Sequence, residues 1–433
     1  MARSSTHAVI PGVTFVRELG DIREYRLEKN GLRILLSRDA SSPVAGLMVT
    51  YHVGSRNEAI GYTGSTHLLE HLMFKGTKKF SKEKGTSLDA LLESKGAVIN
   101  ATTWFDRTNY YEVAPRDVLP LAIEIEADRM RNAIITEKDR TSEMPIVWNE
   151  FERGENMPIE ALDKQIWALA YEAHPYHHST IGWRSDIETV TIERLQQFYN
   201  DFYWPNNATV SVVGGFEERE VLTLIAKQFG KHQKAPKPFP QMLTTEPAQE
   251  GQRRVVVSRA GAPLLGVAHK IPEGTHADMP ALIMLAAVLA EDKTSRLYRA
   301  LVDTAKATDI ATYCYQLHDP SLFITYVTLT PDTTHAIAEA HIKSAYEAIS
   351  KKGVREKELA RLKKLVRAET ASKRDGAYSF LSSLNEDIAT GDWTRFVTLP
   401  EKLLAVTPKE IQAVAKKYLT DTTSTVGWFV PKT

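Results

Sequence analysis

A single cysteine, Cys314, in 433 residues excludes an internal disulfide and any cysteine-rich zinc site. Net charge is equally scarce: 54 basic residues balance 54 acidic ones, with no basic block. That balance argues against nucleic acid or an anionic membrane surface as partner. Long apolar runs are missing too. The longest, PALIMLAAVLA at 280–290, falls well short of the roughly 20 residues that span a bilayer. The N-terminal MARSSTHAVIPG carries one arginine and no apolar core of signal-peptide length. This points to the cytoplasm, or to the periplasm for a chain trimmed of its leader.

What is present is ordinary globular material, 43% hydrophobic and 25% charged, in a chain too long for one core. It is also written twice. TIERLQQFYNDFYWPNNATVSVVGG from Thr191 and TPKEIQAVAKKYLTDTTSTVGWFVP from Thr407 align without gaps at an offset of 216 residues. Each copy reads as a helix followed by a strand. Thr191 and Thr407 are placed as N-caps, and Glu193 and Glu410 complement the positive end of the helix dipole.

Between the copies, KHQKAPKPFPQMLTTEPAQEGQ at 231–252 holds four prolines in a mostly polar stretch, the composition of an extended linker. The expected organisation is a first domain over 1–232, a linker over 233–252 and a second, homologous domain over 253–433. LRILLSRD, VAGLMVTYHVG, VINATTWFDRTNYYEVA and ATVSVVGG read as strands of the first half, and RRVVVSRA, LLGVAHKIP, TYCYQLHD and LFITYVTLT as strands of the second. Grouped helices lie between them. The fold class is therefore α+β: two domains related by duplication, each a mostly antiparallel sheet packed with helices.

The hexapeptide THLLEH at 66–71 places His67, Glu70 and His71 within an arc of about 100° on a helix. Two imidazoles one turn apart suit one tetrahedral metal ion, with Glu70 beside them as a general base. Leu68, Leu69, Leu72 and Met73 give the same segment an apolar face, so it is helical with or without a metal. A third ligand is needed. EKDRTSEMPIVWNEFERGENMP offers Glu143, Glu150, Glu152 and Glu155; Glu143 and Glu150, two turns apart, share a face, with Ile146 and Val147 between them to pack inward. A pair of carboxylates on one packed face implies a metal or a partner charge.

With these residues in place, the first half resembles the pitrilysin/insulinase/mitochondrial-processing-peptidase family of inverted-motif zinc peptidases. The likeness extends through YHVGSRNEAIGYTGSTHLLEHLMFKGT, NATTWFDRTNYYEV, EMPIVWNEFERGENMP and HPYHHSTIGW, and more loosely into the second half. The resemblance implies a bacterial-type two-domain zinc endopeptidase acting on unfolded peptides. By it, His67, His71 and Glu150 become ligands of Zn2+, Glu70 the general base, and Glu143 a carboxylate supporting the ligands. The strand beginning at Asn100 and Ala101 becomes the edge to which an extended peptide substrate adds.

One family feature is missing. Active members place an arginine and a tyrosine, seven apart, after a Ser-Arg-Leu helix of the second half. SRLYRALVDTAKATDIATYC has Asp303 and Ile310 at those positions, with Tyr313 nearby. The implied assembly is a dimer, either a heterodimer whose zinc-free paralogue supplies the arginine and tyrosine, or a homodimer. The competing readings are a non-catalytic scaffold subunit, which has no need of the motif, and a peptide-binding or metal-storage protein, which has no need of Glu70.

Overall fold

A computed structural model describes residues 7–432; the first six residues of the N-terminal stretch read above lie outside the described residues. Among the described residues, twelve strands form two sheets. The first sheet contains β1 (Val13–Leu19), β2 (Ile22–Leu27), β3 (Arg33–Arg38), β4 (Val44–Tyr51), β5 (Val98–Thr103), β6 (Thr108–Pro115) and β7 (Ala208–Gly214). Its order is β1-β2-β3-β7-β4-β6-β5. The second contains β8 (Arg253–Arg259), β9 (Leu264–Ile271), β10 (Ala307–Cys314), β11 (Ser321–Leu329) and β12 (Ser424–Pro431), ordered β10-β11-β9-β12-β8.

The duplication is visible in the pairing. In the first sheet β3 runs parallel to β7, and every other pair is antiparallel. In the second, β12 runs parallel to β8 and the remaining pairs are antiparallel. Strands β3-β7-β4-β6-β5 thus correspond one for one to β8-β12-β9-β11-β10. Each half is α+β as expected, and β1 and β2, which the alternation did not single out, extend the first sheet.

The repeated helices start as their sequences dictate. Thr191 accepts a hydrogen bond from the Arg194 N–H at 3.3 Å. Thr407 and Glu410 form a reciprocal capping box, with Glu410 accepting from the Thr407 N–H at 2.8 Å. One strand differs from expectation. TYCYQLHD, residues 312–319, is only partly strand: β10 starts earlier, at Ala307, and ends at Cys314. Its Ala-Thr-Asp start lacks the apolar alternation that marks a strand, and pairing with β11 from Ala307 onward decides the matter.

Contacts divide the chain into two compact units, and the division is not a simple cut. Besides the first-half residues, one unit takes in Ser372–Ala389; the other takes in Trp148–Ser179. Two helices account for the exchange. Helix Pro158–Ala170 lies on β8, β9 and β12, and helix Ala377–Ala389 lies on β4, β7 and β6. The change of unit in mid-chain falls between Met242 and Leu243, inside a proline-rich segment without helix or strand. Glu246 of this segment accepts from the backbone N–H groups of Ala173 and His174 at 2.9 and 3.0 Å and from Lys270 at 2.6 Å, which ties it to the second unit.

Glycine makes room for the exchanged helices. Gly46 on β4 lies under Ala377 and Leu381, and Gly266 and Gly427, paired across β9 and β12, lie under Ile166. A Cβ on Gly427 would stand 2.7 Å from Ile166 Cγ1 and 2.8 Å from Leu162 Cδ1. Gly427→Val is therefore expected to lower unfolding free energy by about 1–3 kcal/mol through overpacking, read from the urea midpoint, and Ile166→Ala in the same chain to recover part of the loss.

Candidate metal centre

The motif helix, Ser65–Leu72, has eight residues and needs its ends secured. Glu58 secures the first turn, accepting the Gly64 N–H at 2.8 Å and the Thr66 N–H at 2.6 Å. Asp186 holds the preceding loop, accepting from the N–H groups of Gly61 and Thr63 at 3.1 Å and the Thr63 hydroxyl at 2.9 Å. Burial pushes the Glu58 pKa up to about 8, against the pull of its N–H bonds. Leu68, Leu69, Leu72 and Met73 are completely buried, as the apolar face required.

His67 and His71 project from successive turns with ring centroids 4.8 Å apart. Burial, with a smaller contribution from neighbouring His71, pushes the His67 pKa down to about 3. His67 is thus a neutral imidazole at pH 7, the form that binds a metal.

Glu143 and Glu150 lie on the helix Glu137–Asn156, which runs unbroken through the residue pair where the contact units change. Glu143 is buried and accepts from His71 Nδ1 at 3.3 Å, while its other oxygen pairs with Lys75. Donation from Nδ1 leaves the His71 Nε2 lone pair for a metal. Two turns on, Glu150 closes the group: one ligand atom each from His67, His71 and Glu150 lie within 4.8 Å of one another. Among the described residues this is the one such cluster of histidine, cysteine and acidic groups. Of the two apolar residues between the carboxylates, Val147 is buried but Ile146 is 47% exposed. The helix therefore packs along a narrower stripe than the sequence suggested.

Two imidazoles and a carboxylate are a donor set that fits Zn2+ with a fourth position open. Glu70, only 8% exposed and next to His71 on the motif helix, accepts from the Thr103 hydroxyl. Thr103 ends β5, which among the described residues is an edge of the first sheet and pairs with β6 alone. Asn100 on this strand is exposed, Ala101 is buried, and Asn100 Oδ1 accepts the Ala101 N–H at 2.8 Å. Behind β6, Arg129 is wholly buried against Glu126 and lies 4.2 Å above the Tyr110 ring, whose hydroxyl meets that of Tyr203 at 3.2 Å.

Sequence reasoning missed Glu58, Lys75, Thr103 and Asp186. Their signals were weak because each acts through a contact distant in sequence or through backbone groups. Lys75, one turn past His71, was the most findable, since its spacing places it on the ligand side of the helix end.

In the second unit, Arg296 pairs with Glu358 at 3.1 Å, and a π-helical turn closes with the Asp303 N–H donating to the Tyr298 carbonyl at 3.1 Å. Asp303 is exposed. Ile310 on β10 packs into the core, and Tyr313, three residues on and 50% exposed, faces away from it. Among the described residues, no helix is long and apolar enough to cross a membrane.

Comparison with known proteins fits this arrangement. Residues 33–183 match the profile of insulinase (peptidase family M16), and residues 189–366 that of the peptidase M16 inactive domain. The zinc protease PqqE of Helicobacter pylori is 31% identical over 409 residues, covering 93% of this chain and 91% of that one. Bovine cytochrome b-c1 complex subunit 1 is 26% identical over 284 residues, 64% of this chain and 57% of that one. The crystal structure of a protease from Helicobacter pylori superposes with a TM-score of 0.91 at 29% identity, covering 96% of this chain and all of that one. On this likeness over nearly its whole length, and with both halves matched, the chain belongs to the insulinase (M16) peptidase family.

Proposed function

We propose that the chain is a zinc endopeptidase that hydrolyses unfolded peptides. The observation that carries this reading is the convergence of His67, His71 and Glu150 within 4.8 Å, with the carboxylate of Glu70 on the same helix. A bound Zn2+ supplies Lewis acidity, polarising a peptide carbonyl and easing deprotonation of water. His67, His71 and Glu150 would hold the ion, while Glu143 holds His71 in orientation through Nδ1. Glu70 takes the proton of the attacking water as its oxygen bonds to the carbonyl carbon, then passes it to the amide nitrogen as the C–N bond breaks. An extended peptide adds to the open edge of β5 beside Asn100 and Ala101, held mainly by main-chain hydrogen bonds, so many side chains are accepted.

Asp303 and Ile310 offer no substitute for a second-half arginine and tyrosine. Ile310 is committed to the core, and Asp303 has the wrong charge to stabilise a developing oxyanion. The working enzyme is therefore a dimer. A zinc-free paralogue that brings both residues is the favoured partner, and a homodimer using Tyr313 the alternative. The relative named as a subunit of the cytochrome b-c1 complex raises a second reading, a non-catalytic scaffold. A carboxylate on the helix that carries two of the ligands favours hydrolysis over that role, over peptide binding alone and over metal storage. The test is cleavage of a quenched unfolded peptide by the Zn2+-loaded chain, with and without candidate partners. Stoichiometric zinc without cleavage in any combination would leave the scaffold reading.

A further inference from the structure

Thr103 is the last residue of β5, and its Oγ1 donates a hydrogen bond to Glu70 Oε2. The strand end that carries it is fixed from several directions. Its backbone is paired with β6 as far as Thr103 opposite Thr108. On the other face, the Thr102 Oγ1 accepts from Arg107 at 2.7 Å and from Asn109 at 2.9 Å, and Arg107 also donates to the Thr102 carbonyl at 3.1 Å. Threonine is β-branched and stiff at χ1, so the direction of its hydroxyl follows from the strand. Glutamate has three rotatable bonds and no such restraint of its own.

The bond therefore restrains the placement of the Glu70 carboxylate through Oε2. Alternation along the strand puts Thr103 on the same face as buried Ala101, toward the motif helix, while the backbone of the same residues forms the open edge of the sheet.

We propose that Thr103 is a positioning residue that locks Glu70 and sets the base in fixed register with the strand on which an extended peptide docks. This rests on the peptidase reading. A base and a docking edge tied to one rigid strand keep the reacting water and the scissile bond aligned in every turnover, whichever side chains the peptide carries.

The test compares Thr103→Val, which keeps the shape and removes the hydroxyl, with Thr103→Ser, which keeps the hydroxyl, in the Zn2+-loaded chain with whatever partner supports turnover. Thr103→Val is expected to lower kcat about ten- to thirtyfold with KM within about twofold and zinc content unchanged, and Thr103→Ser to return kcat to within about threefold of the parent. Crystal structures should show one Glu70 carboxylate position in the parent and in Thr103→Ser and a displaced or divided one in Thr103→Val. An unchanged kcat in Thr103→Val, a serine variant as slow as the valine one, or a loss carried wholly by KM overturns the proposal. If the parent itself cleaves nothing, the peptidase reading fails separately. The crystal structures then decide, and an unmoved carboxylate in Thr103→Val overturns the positioning role.

Discussion

Replacing Glu70 with glutamine should leave one Zn2+ bound per chain and lower kcat by about two to four orders of magnitude. The reasoning is local. Glutamine has the length and nearly the shape of glutamate, so the motif helix, with Leu68, Leu69 and Leu72 fully buried, has no cause to move. The Thr103 hydroxyl can still donate to the amide oxygen. His67, His71 and Glu150 keep their donors. Only the capacity to take a proton is gone. Zinc content by atomic absorption and hydrolysis of a quenched peptide separate the two properties in one preparation, and unchanged turnover would sink the mechanism.

The second large effect is on the metal itself. Glu150→Ala should raise the Kd for Zn2+ by several orders of magnitude, because two imidazoles alone make a poor tetrahedral site. Glu143→Gln should weaken binding by only about ten- to a hundredfold, since it disturbs the hydrogen bond to His71 Nδ1 and removes no ligand. Competition with a chromophoric chelator measures both. Equal losses in the two variants would mean that the roles assigned along this helix are wrong. Glutamine at 143 also leaves Lys75 without its counter-charge, so a small fall in stability is expected alongside.

Much of this site could be read from the chain because its chemistry is packed into short spacings. His67, Glu70 and His71 share one helical face, and Glu143 and Glu150 share another, so helical periodicity alone aligns them. The duplication was legible for a similar reason: Thr191 and Thr407 cap equivalent helices, and β7 and β12 follow each at equal distance. What periodicity could not supply was anything fixed by contacts across the fold. Thr103 meets Glu70 through a side-chain bond spanning 33 residues, and Asp186 reaches back to Thr63 across 123. Ile146 looked like a packing residue by composition, yet its neighbours leave it in solvent. β1 (VTFVREL) and β2 (IREYRL), with charged residues set among apolar ones, carry too little alternation to announce a strand; β2 gains its order from pairing with β3, and β1 from pairing with β2.

The exchange of helices Pro158–Ala170 and Ala377–Ala389 bears on ancestry and on severability. A sheet that must borrow its cover from the other half of the sequence could not have been complete in a single-copy ancestor. Such an ancestor would have folded as a pair, each copy lending its helix to the other, before fusion made the loan internal. For the present chain, cleavage within the proline-rich segment would cut a covalent bond without freeing two independent proteins. Either half made alone would expose Gly46 or Gly266 and the apolar floor around it, and would have to find its complement to stay in solution.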